Sequence, residues 1–350
     1  MKCDNVSMKS NEEYADSIYN IVKDYRNEEG IFITTQTILE WAGQFGDDAN
    51  FILMEVAHLI PKVYFSKDKV KDYLSEVINF YQKEHQYPDW DSFLKDTEIL
   101  QLQPEGKSQW VLRNLLDEII KTKVGKCLAD YALSNKKHYL YIDDILATGG
   151  TIGKDLTAWL KVDNHDKSLE AGRITLQIAV ICLHNLGWSM QIFKLGKIFG
   201  DSVAKRIIVV RCFEVENNLN LYKPKLNAAI PIRDYVSKDI IQYYENIDAS
   251  KNAHQAFRSK YAPVKEDFFS SPEDRVRYEN ILLEKGLYII NQSTELNTNV
   301  RPLGIMSPYH KMLGLGTHFI TWRNIPNNCP LVFWWNVPTH NWKPLFEPRR

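Results

Sequence analysis

An α/β fold, with a mainly parallel sheet flanked by helices and an all-helical unit in front of it, is what this sequence predicts. Three observations predict it. Apolar residues recur at helical spacing through most of the first hundred positions. From about residue 98 the rhythm changes to strand, loop, helix. One hydrophobic strand then runs into two aspartates and a turn of glycines and threonines. Strands alternating with helices form βαβ units, whose strands lie parallel. Residues 1–97 are expected to form the helical unit, and residues 98–350 the α/β domain with a C-terminal extension.

In the first part, Tyr14, Ile18, Ile21, Val22 and Tyr25 share one helical face, and Val70, Leu74, Val77, Ile78 and Tyr81 share another. Ser66 is placed to N-cap the second of these helices. Between them Ile38, Leu39, Trp41 and Phe45 make an apolar stripe. Phe51 to Ile60 is almost wholly apolar, and Pro61 is expected to end that helix.

In the second part, Ile99 to Leu102 is a short strand, followed by the turn Pro104-Glu105-Gly106-Lys107-Ser108. A helix follows that buries Val111, Leu112, Leu115, Leu116, Ile119 and Ile120. His138 to Ile142 is the next strand, leading through the glycine turn into a helix from Thr151 to about Leu160. Ile174 to Leu183 is a long β-rich run. An amphipathic helix through Leu186, Met190, Phe193 and Leu195 follows, and Ile207 to Phe213 reads as another buried strand. From about residue 215 the pattern is less regular. Gly304, Gly314 and Gly316 surround Tyr309, His310 and Lys311. Two β-like aromatic runs, Phe319 to Trp322 and Pro330 to Trp335, flank Asn324-Ile325-Pro326-Asn327-Asn328. This patch reads either as a loop over a site or as ordinary turn chemistry.

The bulk composition narrows the function classes. With 350 residues, 44% hydrophobic and 25% charged, the chain can bury a core without disulfides or metals. The 43 basic and 44 acidic residues leave a net charge of -1, so nothing global points to nucleic acid or a membrane surface. Cys3, Cys127, Cys182, Cys212 and Cys329 are scattered without a CxxC pair, as expected of reduced thiols in a cytosolic protein. Residues 1–26 are polar and lack the apolar stretch of a signal peptide. The longest apolar runs, such as Ile178 to Leu183, are too short to span a bilayer. A soluble, cytoplasmic protein with no membrane partner is the expectation. His58, His184 and His254 show no ligand spacing, and no metal site of protein ligands is encoded.

The chemistry is concentrated in Tyr139-Leu-Tyr-Ile-Asp143-Asp144-Ile-Leu-Ala147-Thr148-Gly149-Gly150-Thr151. The strand end places Asp143 and Asp144 at the carboxyl edge of the sheet, where α/β proteins bind ligands. The glycines let backbone N–H groups converge on an anion, and the helix opening at Thr151 adds its positive dipole end. Two carboxylates beside a phosphate cradle suit a sugar phosphate: hydroxyls to the acids, the 5′-phosphate to Ala147, Thr148, Gly149, Gly150 and Thr151. A second candidate anion site is Gly106-Lys107-Ser108, which opens a helix. It is not a P-loop, because Gln101 stands where the upstream glycine is required. Lys107 can meet an anion as a point charge, or it can sit in a solvated turn with Ser108 as the helix cap.

The Asp143 to Thr151 stretch resembles the phosphoribosyl-diphosphate (PRPP) binding motif of type I phosphoribosyltransferases at every defining position. That resemblance implies a type I phosphoribosyltransferase-like fold. It further implies that Asp143 and Asp144 contact the ribose 2′ and 3′ hydroxyls and serve as the catalytic pair, and that Ala147 to Thr151 hold the 5′-phosphate. It makes the earlier Gly106 to Ser108 turn the candidate for the pyrophosphate, with Mg²⁺ arriving on the pyrophosphate. Members that act on hypoxanthine carry a carboxylate where this chain has Ala147; its loop is closer to the adenine type and supplies no general base.

The whole chain also resembles the divergent phosphoribosyltransferase-like proteins of bacterial conflict systems. The features are the helical preface with Trp41-Ala-Gly-Gln44-Phe45, the Gly106-Lys107-Ser108 turn and the late Arg323-Asn324-Ile-Pro-Asn327-Asn328 patch. Such proteins stand beside reverse transcriptases in some retrons. The resemblance implies a toxic effector of anti-phage defence acting at ribose C1′ of PRPP or a nucleotide, with a reverse transcriptase and its RNA-linked DNA as partners. Two other readings stay open: a non-catalytic PRPP- or nucleotide-sensing module, and a base-salvage phosphoribosyltransferase.

Overall fold

The computed structural model describes residues 9–132, 135–219, 225–247, 256–293, 297–307 and 310–349; Cys3, His254 and Tyr309, named above, lie outside them. The contacts divide the chain into two compact units, one of residues 1–67 with 216–350 and the other of residues 68–215. The sequence boundary at residue 97 therefore falls inside the second unit, and the first is assembled from both ends of the chain.

The first unit opens with α1 (Asn11–Val22), α2 (Thr35–Gly43) and α3 (Ala49–Val63), then the two-residue strand β1 (Tyr64–Phe65). Ser10 and Thr34 each form a capping box at the start of their helices, satisfying N–H groups that have no partner within the helix. Pro61 does not end α3, which runs on to Val63. A proline within the last turn removes a single backbone donor, and the Tyr64 N–H still bonds to the Ile60 carbonyl beyond it.

The second unit begins with α4 (Lys67–Glu84), which starts directly after Ser66, and α5 (Trp90–Lys95). Then follow β2 (Thr97–Ile99), α6 (Ser108–Val124), β3 (His138–Leu146), α7 (Gly150–Lys161), α8 (His165–Glu170), β4 (Thr175–His184), α9 (Asn185–Phe199), α10 (Asp201–Ala204) and β5 (Ile207–Val215). The four strands form one parallel sheet in the order β2-β3-β4-β5. In register, Asp143 lies beside Val180, and Leu146 beside Leu183. Helices cover both faces. Ile152, Leu156, Trp159 and Leu160 of α7, with Leu195 of α9, share a core with Tyr141, Ile178 and Val180. Neighbouring strand residues point to opposite faces, so Gln177 looks the other way, where it bonds to His85 of α4. Tyr73 of α4 donates to the Val180 carbonyl at 2.7 Å.

Three sequence expectations change here. β3 continues four residues past Ile142, so the acid pair lies within a paired strand rather than at its end. The buried stripe of α9 is Gly187, Gln191 and Leu195, whereas Phe193 is 65% exposed. β5 is an edge strand rather than a buried one, and Ile208, Arg211, Cys212 and Glu214 are exposed along it.

At the other end of β3, His138 stacks on His85 with ring centroids 3.9 Å apart. Burial first, and then the neighbouring His85, push His138 down to about 4. A histidine held below its ordinary value stabilises the fold above about pH 6.5, and that contribution is lost as pH falls towards 4. Acidification from pH 7 to 4.5 is therefore expected to cost roughly 2 kcal/mol at this site. His138→Phe should flatten that part of the pH dependence in urea unfolding; an unchanged slope would place the acid sensitivity elsewhere.

The remainder of the first unit adds α11 (Lys238–Asn246), α12 (Pro272–Ile290), β6 (Ile320–Thr321) and α13 (Leu331–Trp334). β6 pairs with β1 in parallel, Tyr64 beside Ile320. The Pro330 to Trp335 run, expected as β-like, is mostly the short helix α13, whose Phe333 stacks on Trp41. The glycine-rich patch is backbone packing. A Cβ at Gly304 would lie 2.4 Å from the Asn328 carbonyl oxygen, and one at Gly316 would lie 2.1 Å from that of Ala229. Below it, fully buried Arg275 pairs with Glu279 and Glu266, and Arg258 pairs with Glu279. Among the described residues no helix is long and apolar enough to cross a membrane.

Candidate active site

The Asp143-Asp144 pair lies in the second half of β3 and the glycine turn follows the end of that strand, inside the second unit. Gly149 adopts a left-handed conformation (φ 72°) and stands at the N-cap of α7, where, as a glycine, it supplies no side-chain cap. The first N–H groups of a helix have no partner within it and lie at its positive dipole end, which is the arrangement an anion site uses. Thr148, Gly150 and Thr151 are exposed around it, and Gly149 is buried.

The turn is held from behind by α9. Gln191, 5% exposed, donates from Nε2 to the Thr148 carbonyl at 2.9 Å. A Cβ on Gly149 would meet Gln191 Cγ at 2.2 Å, and one on Gly153 would meet Gln191 Oε1 at 2.2 Å. Four residues before Gln191, on the same helix face, a Cβ on Gly187 would lie 1.8 Å from the Ala147 carbonyl oxygen. Gly150 differs: only Thr148 Oγ1, at 3.8 Å, approaches the place of its missing Cβ. Neither Gly187 nor Gln191 was expected from the sequence. The available signal was a glutamine and a glycine four apart on an otherwise apolar helix face.

The two carboxylates of the pair have different surroundings. Asp144 is partly exposed, while Asp143 is 4% exposed with donors on both oxygens. Its Oδ1 accepts from Ser108 Oγ at 2.5 Å and from the Asp144 N–H at 2.9 Å. Its Oδ2 accepts from Gln103 Nε2 at 2.8 Å and lies 3.3 Å from the Tyr141 hydroxyl, which donates at 2.9 Å to Asp155 of α7. Burial, reinforced by the adjacent Asp144 charge, pushes the Asp143 carboxyl up to about 7 against the pull of these donors. As folded, Asp144 is the part-exposed acid of the pair, and Asp143 is sealed behind Gln103 and Ser108.

The Gly106-Lys107-Ser108 turn is thereby brought to the acid pair. Gly106 has φ 81°, and the Lys107 N–H bonds back to the Pro104 carbonyl at 3.3 Å, so Pro-Glu-Gly-Lys is a β-turn with glycine where φ must be positive. Lys107 is exposed at the N-cap position of α6. Ser108 is the first helical residue, and its hydroxyl goes to Asp143 instead of capping the helix. Gln109, fully buried, accepts from the Leu102 and Gln103 N–H groups through Oε1 and so fixes the loop after β2 that carries Gln103. Gln103 and Gln109 were also missed; buried polar residues beside apolar runs were their only mark. His184, at the end of β4, is core: burial lowers it to about 3. Among the described residues no three His, Cys, Asp or Glu side chains gather as a metal site.

What the arrangement offers is a phosphate-sized cradle of backbone donors, one accessible carboxylate beside it, and an exposed lysine on the neighbouring turn. No match is found among curated proteins or among solved structures. The family model described as PRTase-CE matches residues 38–348, which takes in the cradle, the acid pair and most of both compact units, and the chain belongs to that phosphoribosyltransferase-like family.

Proposed function

We propose that this chain binds PRPP, or a nucleotide-type substrate, at the β3–α7 turn and acts at ribose C1′. The observation that carries the reading is the uncapped start of α7 behind a left-handed Gly149, with the part-exposed Asp144 alongside. The 5′-phosphate takes the N–H groups of Gly150 and Thr151, the ribose hydroxyls take Asp144, and Lys107 meets the pyrophosphate as a point charge. Displacement at C1′ passes through an oxocarbenium-like state, which a nearby carboxylate stabilises electrostatically. Mg²⁺ belongs on the pyrophosphate oxygens in this scheme, since an ion of this kind is commonly bound through substrate phosphates and one or two carboxylates. The resemblance to conflict-system proteins supports a toxic effector of retron-type anti-phage defence in the cytoplasm, with a reverse transcriptase and its RNA-linked DNA as partners.

A second reading, a PRPP- or nucleotide-sensing module without turnover, draws support from the sealed state of Asp143. The two part on one experiment. PRPP with Mg²⁺ at about a hundred times Kd is expected to stabilise the fold by roughly 2.7 kcal/mol, a shift of several degrees in Tm. Asp144→Ala should abolish that shift. Release of pyrophosphate from PRPP, together with growth arrest on expression that Asp144→Ala relieves, supports the enzyme. Binding without pyrophosphate release supports the sensor, and no shift with PRPP sinks both.

A further inference from the structure

The first compact unit contains a buried charge without a counter-ion, set beside a cavity. The cavity lies between α11 and α12, measures about 540 Å³, and is lined by Tyr243, Leu287, the amides of Gln242, Asn246 and Asn291, and Arg301. Arg301 is 4% exposed. Its guanidinium bonds to the Tyr243 hydroxyl and, through Nη1, to the Val300 carbonyl at 3.2 Å; Nε has no partner, and among the described residues no carboxylate forms an ion pair with it. The same unit pairs its other deeply buried arginines: Arg275 with Glu266 and Glu279, and Arg258 with Glu279. A buried guanidinium without an acid is unfavourable, and an anion entering the cavity relieves it. Arg301 is thus left as a receptor for a negative group, where Arg275 and Arg258 are struts.

We propose that this cavity binds a nucleoside monophosphate, with the phosphate on Arg301. The volume is that of a small-molecule site. A guanidinium matches a phosphate bidentately. Tyr243 offers a ring on which a base stacks, and the amides of Gln242, Asn246 and Asn291 offer paired donors and acceptors for base edges. Asp239 also lines the cavity, where it can accept from ribose hydroxyls and repels ligands carrying more phosphates. The site is formed wholly by residues of the first unit, and the inference does not rest on the reading of the β3–α7 turn.

Calorimetric titration of the full chain with AMP, GMP, CMP, UMP, adenosine and inorganic phosphate tests it. At least one monophosphate should bind with Kd of about 100 μM or tighter, with adenosine and phosphate alone each weaker by roughly tenfold or more. Arg301→Met should weaken binding by about thirtyfold or more without lowering Tm, because it removes an unpaired buried charge rather than a strut. Asn246→Ala, at an exposed position that leaves the fold intact, should weaken binding by about fivefold and change the preference among bases. Asp144→Ala should bind as the parent does. The proposal is overturned if no monophosphate binds, if inorganic phosphate or adenosine binds as tightly as the monophosphates, or if Asp144→Ala abolishes binding. Binding unchanged in Arg301→Met overturns it too; should that variant fail to fold, binding unchanged in Asn246→Ala does so.

Discussion

Gly187→Ala is expected to unseat the phosphate cradle from a position outside it. The added Cβ would stand 1.8 Å from the Ala147 carbonyl oxygen and 2.9 Å from its carbon, both main-chain atoms that no rotamer change can move aside. Either α9 retreats or the turn is pushed outward. Overpacking of this kind costs about 3 kcal/mol, and a displaced cradle should lose PRPP affinity by roughly tenfold or more. Gly149→Ala should behave similarly, since it combines φ 72° with a contact on Gln191. Gly150→Ala is the informative contrast, because its added Cβ meets nothing closer than Thr148 Oγ1 at 3.8 Å. Its Tm should stay within about 1 °C of the parent while PRPP binding falls, since a methyl there obstructs only a ligand. The checks are thermal melts and PRPP titration on the three variants. Equal Tm for Gly187→Ala and the parent would show that α9 does not brace the turn.

Asp143→Asn is expected to be more stable than the parent at pH 8 and no more stable at pH 4. The sign follows from the raised carboxyl: the folded state holds its proton more tightly than the unfolded chain does. Stability is therefore lost as pH climbs from about 4 through 7, by on the order of 2–4 kcal/mol before relaxation is allowed for. An amide carries no charge to desolvate, and its carbonyl still accepts from Ser108 and the Asp144 N–H. PRPP binding separates the two acids. If Asp143 stays sealed in the complex, the Asn variant binds within about threefold of the parent, whereas Asp144→Asn loses about tenfold or more. Equal losses for both would mean that Gln103 and Ser108 release Asp143 when ligand arrives. Urea unfolding at the two pH values and PRPP titration read out both halves.

The parts of this fold legible in the sequence were those written in local patterns. The strand-turn-helix of β3 and α7, the parallel strands and four of the five N-terminal helices follow from periodicity and turn chemistry, and the chain folds them close to the expected positions. What escaped was set by neighbours distant in sequence. Nothing local distinguishes Gln191 from a surface glutamine; its role exists because α9 returns beneath the turn formed some forty residues earlier. Phe193 looked like core because it is apolar, yet it faces outward while Gly187 and Gln191 face in. Glycine buys closeness and glutamine supplies a bond, and neither scores as hydrophobic. The α12 helix had a readable start, Ser271 as N-cap with Pro272 next, but its stripe is interrupted by Arg275 and Glu279, which are buried as an ion pair. At the acid pair, sequence gave the residues and their edge of the sheet, while the sealing of Asp143 depends on Gln103 and Ser108 arriving from before α6.

Gln191 has one more consequence, for which sequences this fold tolerates. Its side chain fills the space that a Cβ on Gly153 would take, and Gly153 has an ordinary helical backbone. The two positions therefore form a single choice with two solutions: glycine with a long amide, or a larger residue with a short partner. Each change alone damages the cradle, one by collision and the other by leaving a void and an unheld Thr148 carbonyl. Together they largely cancel, so their effects are non-additive. The phosphate turn is in this sense specified twice, once in its own Asp143 to Thr151 motif and once, in a different alphabet, on the helix that returns behind it.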